Sequence, residues 1–142
     1  MILYLDASAL VKRYIQDKAS QDVGTWIKAA DLVVTGRITR VEVAAAIARA
    51  GRMKLIPADE TLAVLRQFRS EGESLQRLLI NKSTVARGDV LAVAHNLRGY
   101  DAIHLAWVLI WQETLGVPVT LATFDSQLIE VARRVHLRYL LS

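Results

Sequence analysis

The chain has 142 residues, 53% of them hydrophobic, with a mean hydropathy of +0.27, which suits one domain with its own core and is too apolar for a disordered chain. No apolar run approaches the roughly 20 residues of a bilayer span, and the lack of cysteine excludes disulfides and thiolate metal sites; a cytoplasmic protein without membrane attachment is the expectation. Eighteen Lys and Arg oppose fourteen Asp and Glu, giving +4 and a pI near 9.7, a bias that suits a polyanionic partner.

Ile2-Leu3-Tyr4-Leu5 predicts a short buried strand closed by Asp6. A helix is expected from Ser8 to about Ile15, and another from Ala19 to Ala30 with Trp26 and Ile27 turned inward. Leu32-Val33-Val34-Thr35, β-branched and bounded by Asp31 and Gly36, reads as the next strand. From Ile38 to Ala50 the positions Ile38, Val41, Ala45 and Ala48 recur at helical spacing, and Gly51 is the expected stop. Pro57-Ala58-Asp59 opens a helix carrying Leu62, Leu65 and Phe68, continued through a kink at Gly72 to Leu79. Lys82 to Val85 is a candidate short strand, with helix from Thr84 or Arg87 to Arg98, ended by Gly99. Asp101 to about Leu115 is apolar nearly all round, Trp107 and Trp111 included, and predicts a buried helix. Val117 to Thr123 is the clearest later strand, Ser126 to Val135 a helix, and Leu137 to Leu140 a candidate final strand. Strands alternating with helices predict a single α/β domain over residues 1–142 with a mostly parallel sheet.

Four acids stand out from this pattern. Asp6 and Asp125 lie one or two residues beyond predicted strands, at the carboxyl rim where open parallel sheets bind ligands. Asp101 opens a helix, and Glu42 lies inside one made mostly of alanine and valine. If the four converge they form an all-oxygen cage for a hard divalent cation such as Mg²⁺. Such an ion polarises a phosphoryl oxygen and makes bound water a nucleophile, the chemistry of a metal-dependent phosphodiesterase. With these acids set aside, eighteen basic residues face ten acids, a net +8.

Asp6, Asp101 and Asp125 have a second reading as helix N-caps, compatible with ligation because a carboxylate has several lone pairs. Glu42 borders the buried stripe of its helix, where a carboxylate needs a partner. Either a cation or an ion pair with Arg37 or Arg40 would serve. His104, three residues after Asp101, reads as a core residue on an apolar helix, and His95 and His136 have no acidic neighbourhood. The phosphate-loop patterns G-x-x-x-x-G-K and G-x-G-x-x-G are both absent.

Four strings carry more. Leu5-Asp6-Ala7-Ser8-Ala9-Leu10-Val11-Lys12, Thr39-Arg40-Val41-Glu42-Val43-Ala44, Leu97-Arg98-Gly99-Tyr100-Asp101-Ala102-Ile103-His104-Leu105-Ala106 and Ala122-Thr123-Phe124-Asp125 together resemble the PIN-domain ribonucleases, most closely the VapC-type toxins of toxin–antitoxin pairs. The resemblance spans almost the whole chain. It implies a three-layer α/β/α fold with a central, mostly parallel sheet. It carries the family's acids onto Asp6, Glu42, Asp101 and Asp125, which would bind Mg²⁺ or Mn²⁺, with Asp6 and Asp101 the principal ligands. Ser8 and Thr123 match hydroxyls that orient ligands or waters, although Ser8 equally suits a helix start.

The same resemblance implies endoribonuclease activity on RNA, a cognate antitoxin, a homodimer, and a larger assembly with the antitoxin. Leu55, Ile56, Leu62, Leu65 and Phe68 are candidates for an antitoxin groove, or else pack on the sheet. Lys12, Arg13, Arg37, Arg40, Arg49, Arg52 and Lys54 surround the segments bearing Asp6 and Glu42 and are candidates for gripping the RNA backbone. Competing readings are a PIN-like module that binds RNA or a partner without cutting, a stand-alone RNA-processing nuclease, and a nuclease acting on DNA.

Overall fold

A computed structural model describes residues 1–141. Five strands, β1 (Ile2–Leu5), β2 (Leu32–Gly36), β3 (Gln76–Leu78), β4 (Val119–Ala122) and β5 (Arg138–Leu140), form a parallel sheet in the order β3-β2-β1-β4-β5. Parallel neighbours require crossovers, and seven helices supply them. These are α1 (Ala7–Leu10, continued by a 3₁₀ turn over Val11–Arg13), α2 (Ser20–Ala29), α3 (Thr39–Arg52), α4 (Ala58–Gly72), α5 (Lys82–His95), α6 (Gly99–Leu115) and α7 (Ser126–Arg134).

The period-two alternation of β1 divides the core between the two faces of the sheet. Leu3 and Leu5 join Ala9, Leu10, Val43, Ile47 and Phe68 on the face covered by α1, α3 and α4. Tyr4 points the other way, into Leu105, Trp107, Leu121 and Leu128 under α6 and α7. Each fully buried side chain of this size contributes about 1.5–3 kcal/mol, so both helical layers are held by the sheet, giving the expected three-layer α/β/α fold. Gly36 at the end of β2 permits close packing on the second face. A Cβ there would lie 2.0 Å from the Trp107 ring.

The order of strands reverses at β1. The chain runs outward through β2 and β3, then returns to place β4 against the other side of β1, pairing Leu5 with Ala122. The carboxyl ends of β1 and β4 are therefore adjacent, which the sequence alone left open.

Several elements differ from expectation. Gln76–Leu78 is a strand rather than the end of a long helix. It lacks any alternation of its own and is defined by pairing with Val34, Thr35 and Gly36. Lys82–Val85 is helical, because Asn81 caps α5 by accepting the Thr84 N–H at 2.9 Å. Asn96, at φ 53°, ends that helix in the left-handed conformation, while Gly99 begins α6. The buried stripe of α3 is Thr39, Val43, Ile47 and Ala50; Val41 and Ala45 are exposed. Gly51 lies within α3, where a Cβ would meet Thr61 Oγ1 at 2.5 Å, so it permits the approach of α4 rather than stopping the helix. In α2 Trp26 and Ile27 do turn inward and pack against the core, Trp26 stacking on Phe124, and Val23 is wholly buried as well. Among the described residues no helix is long and apolar enough to cross a membrane.

Candidate active site

The two strand-borne acids sit at the reversal point. Asp6 follows β1 directly, and its N–H donates to Ala122 O of β4 at 3.2 Å. It is 4% exposed. Its Oδ1 accepts the Ala9 N–H (2.9 Å), which caps α1, and the Ser8 hydroxyl (2.7 Å). Oδ2 accepts the Thr123 hydroxyl at 2.5 Å. Thr123 Oγ1 in turn accepts the Asp125 N–H at 3.1 Å, and Ser8 Oγ accepts the Phe124 N–H at 2.8 Å. Asp125 caps α7 through the Leu128 N–H (2.9 Å). Asp6 and Asp125 are thus N-caps, and the Ser8 and Thr123 hydroxyls join their segments into one interlocked unit.

The other two acids come from helices. Asp101 is the third residue of α6 rather than its cap; Arg98 holds that position with extended backbone. The Arg98 guanidinium bridges Asp101 Oδ2 (2.9 Å) and Asp125 Oδ2 (3.1 Å). Glu42, in the first turn of α3, lines the same groove as Arg98 and Asp101. Its partner is neither Arg37 nor Arg40, both exposed. It is His104, whose Nε2 lies 2.7 Å from Glu42 Oε1. One turn before Glu42, Thr39 is fully buried and its Oγ1 has no hydrogen-bond partner among the described residues.

Burial raises the Asp6 pKa above the ordinary carboxylate value, since the charged form is poorly solvated there. Hydrogen bonds from Thr123 and Ser8, the nearby His104 and the Ala9 N–H offset this only in part. Burial likewise raises the Tyr4 hydroxyl, helped by the charges of Asp6 and Glu42.

Side chains at the rim do not form a closed cage: among the described residues no three His, Asp or Glu converge tightly enough to hold an ion. Each carboxylate instead accepts at least one hydrogen bond from a protein donor. The chemistry of the set nonetheless fits a hard divalent cation. Its donors are carboxylate and hydroxyl oxygens, Asp6 is a buried anion without a formal positive charge in contact, and Asp101 and Asp125 already converge on one cation, the Arg98 guanidinium.

Of the basic residues singled out by sequence, Lys12 pairs with Asp17 and lies over the Phe124 ring, and Arg13 pairs with Glu71 at 2.8 Å. Arg37 and Arg40 are exposed beside the rim, at the end of β2 and the start of α3. Arg49, Arg52 and Lys54 lie at the opposite end of α3, about 10 Å or more along the helix from Glu42. Sequence reasoning missed Arg98, although its i,i+3 spacing to Asp101 was a usable signal. It also dismissed His104 and did not consider Tyr4. Of the expected groove residues, Leu55 and Leu62 are exposed, whereas Ile56 and Phe68 are buried in the core and Leu65 packs against it.

Residues 3–134 match the PIN domain family. Over 128 residues the chain is 29% identical to Ribonuclease VapC45 and to Ribonuclease VapC49, both of Mycobacterium tuberculosis, with 89% of this chain and 86% of each relative covered. Among solved structures it resembles a toxin–antitoxin complex from Klebsiella pneumoniae at TM-score 0.64 and 16% identity, over 89% of this chain and 88% of that one. It also resembles FitAcB from Neisseria gonorrhoeae at TM-score 0.64 and 16% identity, over 99% and 97%. PAE2754 from Pyrobaculum aerophilum follows at 0.60 and 20%, over 92% and 85%. At these identities the structural likeness speaks to the fold.

Proposed function

The chain belongs to the PIN-domain family, and from that premise we propose that it is a metal-dependent endoribonuclease, the toxin of a toxin–antitoxin pair. The observation that carries the reading is a relay of contacts at the strand-order reversal, in which Thr123 ties the Asp6 carboxylate to the Asp125 backbone and Arg98 ties Asp125 to Asp101. Similarity to VapC ribonucleases over most of the chain supports RNA as the substrate. Asp6, Glu42, Asp101 and Asp125 would hold Mg²⁺ or Mn²⁺. When bound, the ion supplies Lewis-acid polarisation of the phosphoryl oxygen and a nucleophilic water.

The chain's own residues do the rest. Ser8 and Thr123 fix both Asp6 oxygens and prevent the carboxylate from rotating. Arg98, 75% exposed, is able to exchange its carboxylate partners for an RNA phosphate. Arg37 and Arg40 add positive charge at the same rim.

Exposed Met53, Leu55 and Leu62, where α3 turns into α4, are the surface we assign to the apolar helix of an antitoxin. A second copy of the chain is the partner we assign to exposed Val85, Val90 and Val93 of α5.

The test is RNA cleavage by purified protein with Mg²⁺ or Mn²⁺, compared with EDTA. Asp6→Asn and Asp101→Asn are expected to reduce cleavage to background with the circular dichroism spectrum unchanged. Wild-type rates in both variants would overturn the reading. A second reading, a PIN-like module that binds without cutting, draws on Arg98 already neutralising two of the four acids. A protein that binds RNA yet shows no Mg²⁺- or Mn²⁺-dependent cleavage of any RNA would favour it.

A further inference from the structure

A histidine buried at 2% exposure within an apolar helix is costly unless both ring nitrogens are satisfied. His104 meets that condition through two residues far away in sequence. Its Nδ1 lies 2.8 Å from the hydroxyl of Tyr4 on β1, and its Nε2 lies 2.7 Å from Glu42 Oε1 on α3. A carboxylate only accepts, so Nε2 carries the proton in this bond. The ring is also clamped. Tyr4 meets it edge-on at 5.9 Å and 71°, and Trp107 does so at 5.7 Å and 66°. Trp107 is in turn fixed by its Nε1–H bond to Leu79 O at 3.0 Å.

Glu42 has no comparable support of its own. It sits in the first turn of α3, partly exposed, and Oε2 accepts no hydrogen bond among the described residues. The two halves of its environment therefore differ. One oxygen is tied to a rigid, buried donor, and the side chain otherwise lines the groove shared with Asp101. A glutamate has three rotatable side-chain bonds, and holding one oxygen removes most of that freedom before a ligand arrives.

We propose that His104 is a positioning residue, which uses its Nε2–H to hold Glu42 in the orientation that receives the cation, with Tyr4 locking the ring from the opposite side. The inference rests on the reading of Glu42 as one of the cation's ligands. It differs from a purely structural ion pair in what it predicts for metal affinity.

Mn²⁺ binding to the RNA-free protein, measured by calorimetry or by the loss of the free Mn²⁺ electron paramagnetic resonance signal, separates the two. His104→Leu is expected to weaken Mn²⁺ binding by about 10–100-fold. His104→Gln, whose amide nitrogen takes the place of Nε2, is expected to retain most of the affinity. Tyr4→Phe removes one hydroxyl and is expected to cost about two- to tenfold, the worth of one hydrogen bond. In the background of Glu42→Ala, His104→Leu is expected to add no further loss.

If His104→Leu fails to fold, His104→Gln and Tyr4→Phe carry the test. Equal weakening by Gln and Leu, or unchanged binding in Tyr4→Phe, would overturn the inference while wild-type metal binding and cleavage kept the nuclease reading intact. Failure of the wild type to bind Mn²⁺ or cut RNA would instead bring down the nuclease reading, and this inference with it.

Discussion

The two halves of the acidic rim are built differently. Asp6 and Asp125 follow adjacent strands and are held by backbone N–H groups and by the hydroxyls of Ser8 and Thr123. Glu42 and Asp101 project from helices on different parts of the chain and are held by single long side chains, His104 and Arg98. The strand half is stiff because its donors are fixed by the sheet and by helix caps. The helix half depends on one side chain for each acid, the buried His104 imidazole tied to Tyr4 of β1 and the exposed Arg98 guanidinium. The strand half therefore sits at fixed points of the rim, while the helix half rests on fewer donors.

Loss of Asp6 or Asp101 is expected to abolish cleavage and so cannot tell the halves apart. The next largest expected effect does. Thr123→Val leaves Asp6 Oδ2 and the Asp125 N–H unpaired at a position 1% exposed, and should lower stability by about 1–3 kcal/mol in urea unfolding. Cleavage should fall along with it, by about 10–100-fold. Unchanged stability would mean that the strand half is no stiffer than the other.

The next effect has the opposite sign. Burial raises the Asp6 pKa, so between the ordinary carboxylate value and the raised one the folded protein binds more protons than the unfolded chain. Stability then falls as pH rises through that window, and the cost remains in full above it. Asp6→Asn is neutral throughout, and its side-chain oxygen still accepts from Ser8 and Ala9. In EDTA its melting temperature should exceed that of the wild type near neutral pH, by about 4 °C for each kcal/mol relieved, with the advantage vanishing in acid below both values. A variant less stable than wild type at neutral pH would show that hydrogen bonds, not burial, govern this carboxylate.

The smallest expected effect belongs to the helix half. Arg98 is exposed, and its ion pairs with Asp101 and Asp125 contribute little to stability. Arg98→Ala should leave the melting temperature almost unchanged and shift Mn²⁺ titration to lower concentration by a few-fold, because a competing cation is gone. Weaker Mn²⁺ binding would show that Arg98 assists the site rather than competes for it.

Legibility of the site followed the same division. Asp6 and Asp125 were readable because a strand followed by a capping acid is a signal contained in a few residues. The cap that Asp101 offered as a second reading is not formed, since α6 begins at Gly99, two residues before the expected start, and Arg98 holds the cap position. Glu42 was recognised as needing a partner, a cation or else Arg37 or Arg40, yet the buried stripe expected for α3 was rotated and neither arginine is its protein partner. The true partner lies 62 residues away on α6, and no periodicity within α3 points to it. The failure at β3 has a similar cause. Gln76–Leu78 is a strand because β2 offers it an edge.

By itself the sequence determined most of the alternation of strands and helices, the burial of the Ile2–Leu5 strand, and the capping acids Asp6 and Asp125, because each of these depends on a few neighbouring residues. Only the tertiary structure decided that β4 returns to lie beside β1, that Thr123 reaches Asp6 across 117 residues, and that Tyr4, His104 and Glu42 form one hydrogen-bonded chain from the core to the groove. Parallel crossovers bring distant segments together through the burial of whole faces, so the pairings at the rim follow from how the layers pack and are not written in any local stretch of the chain.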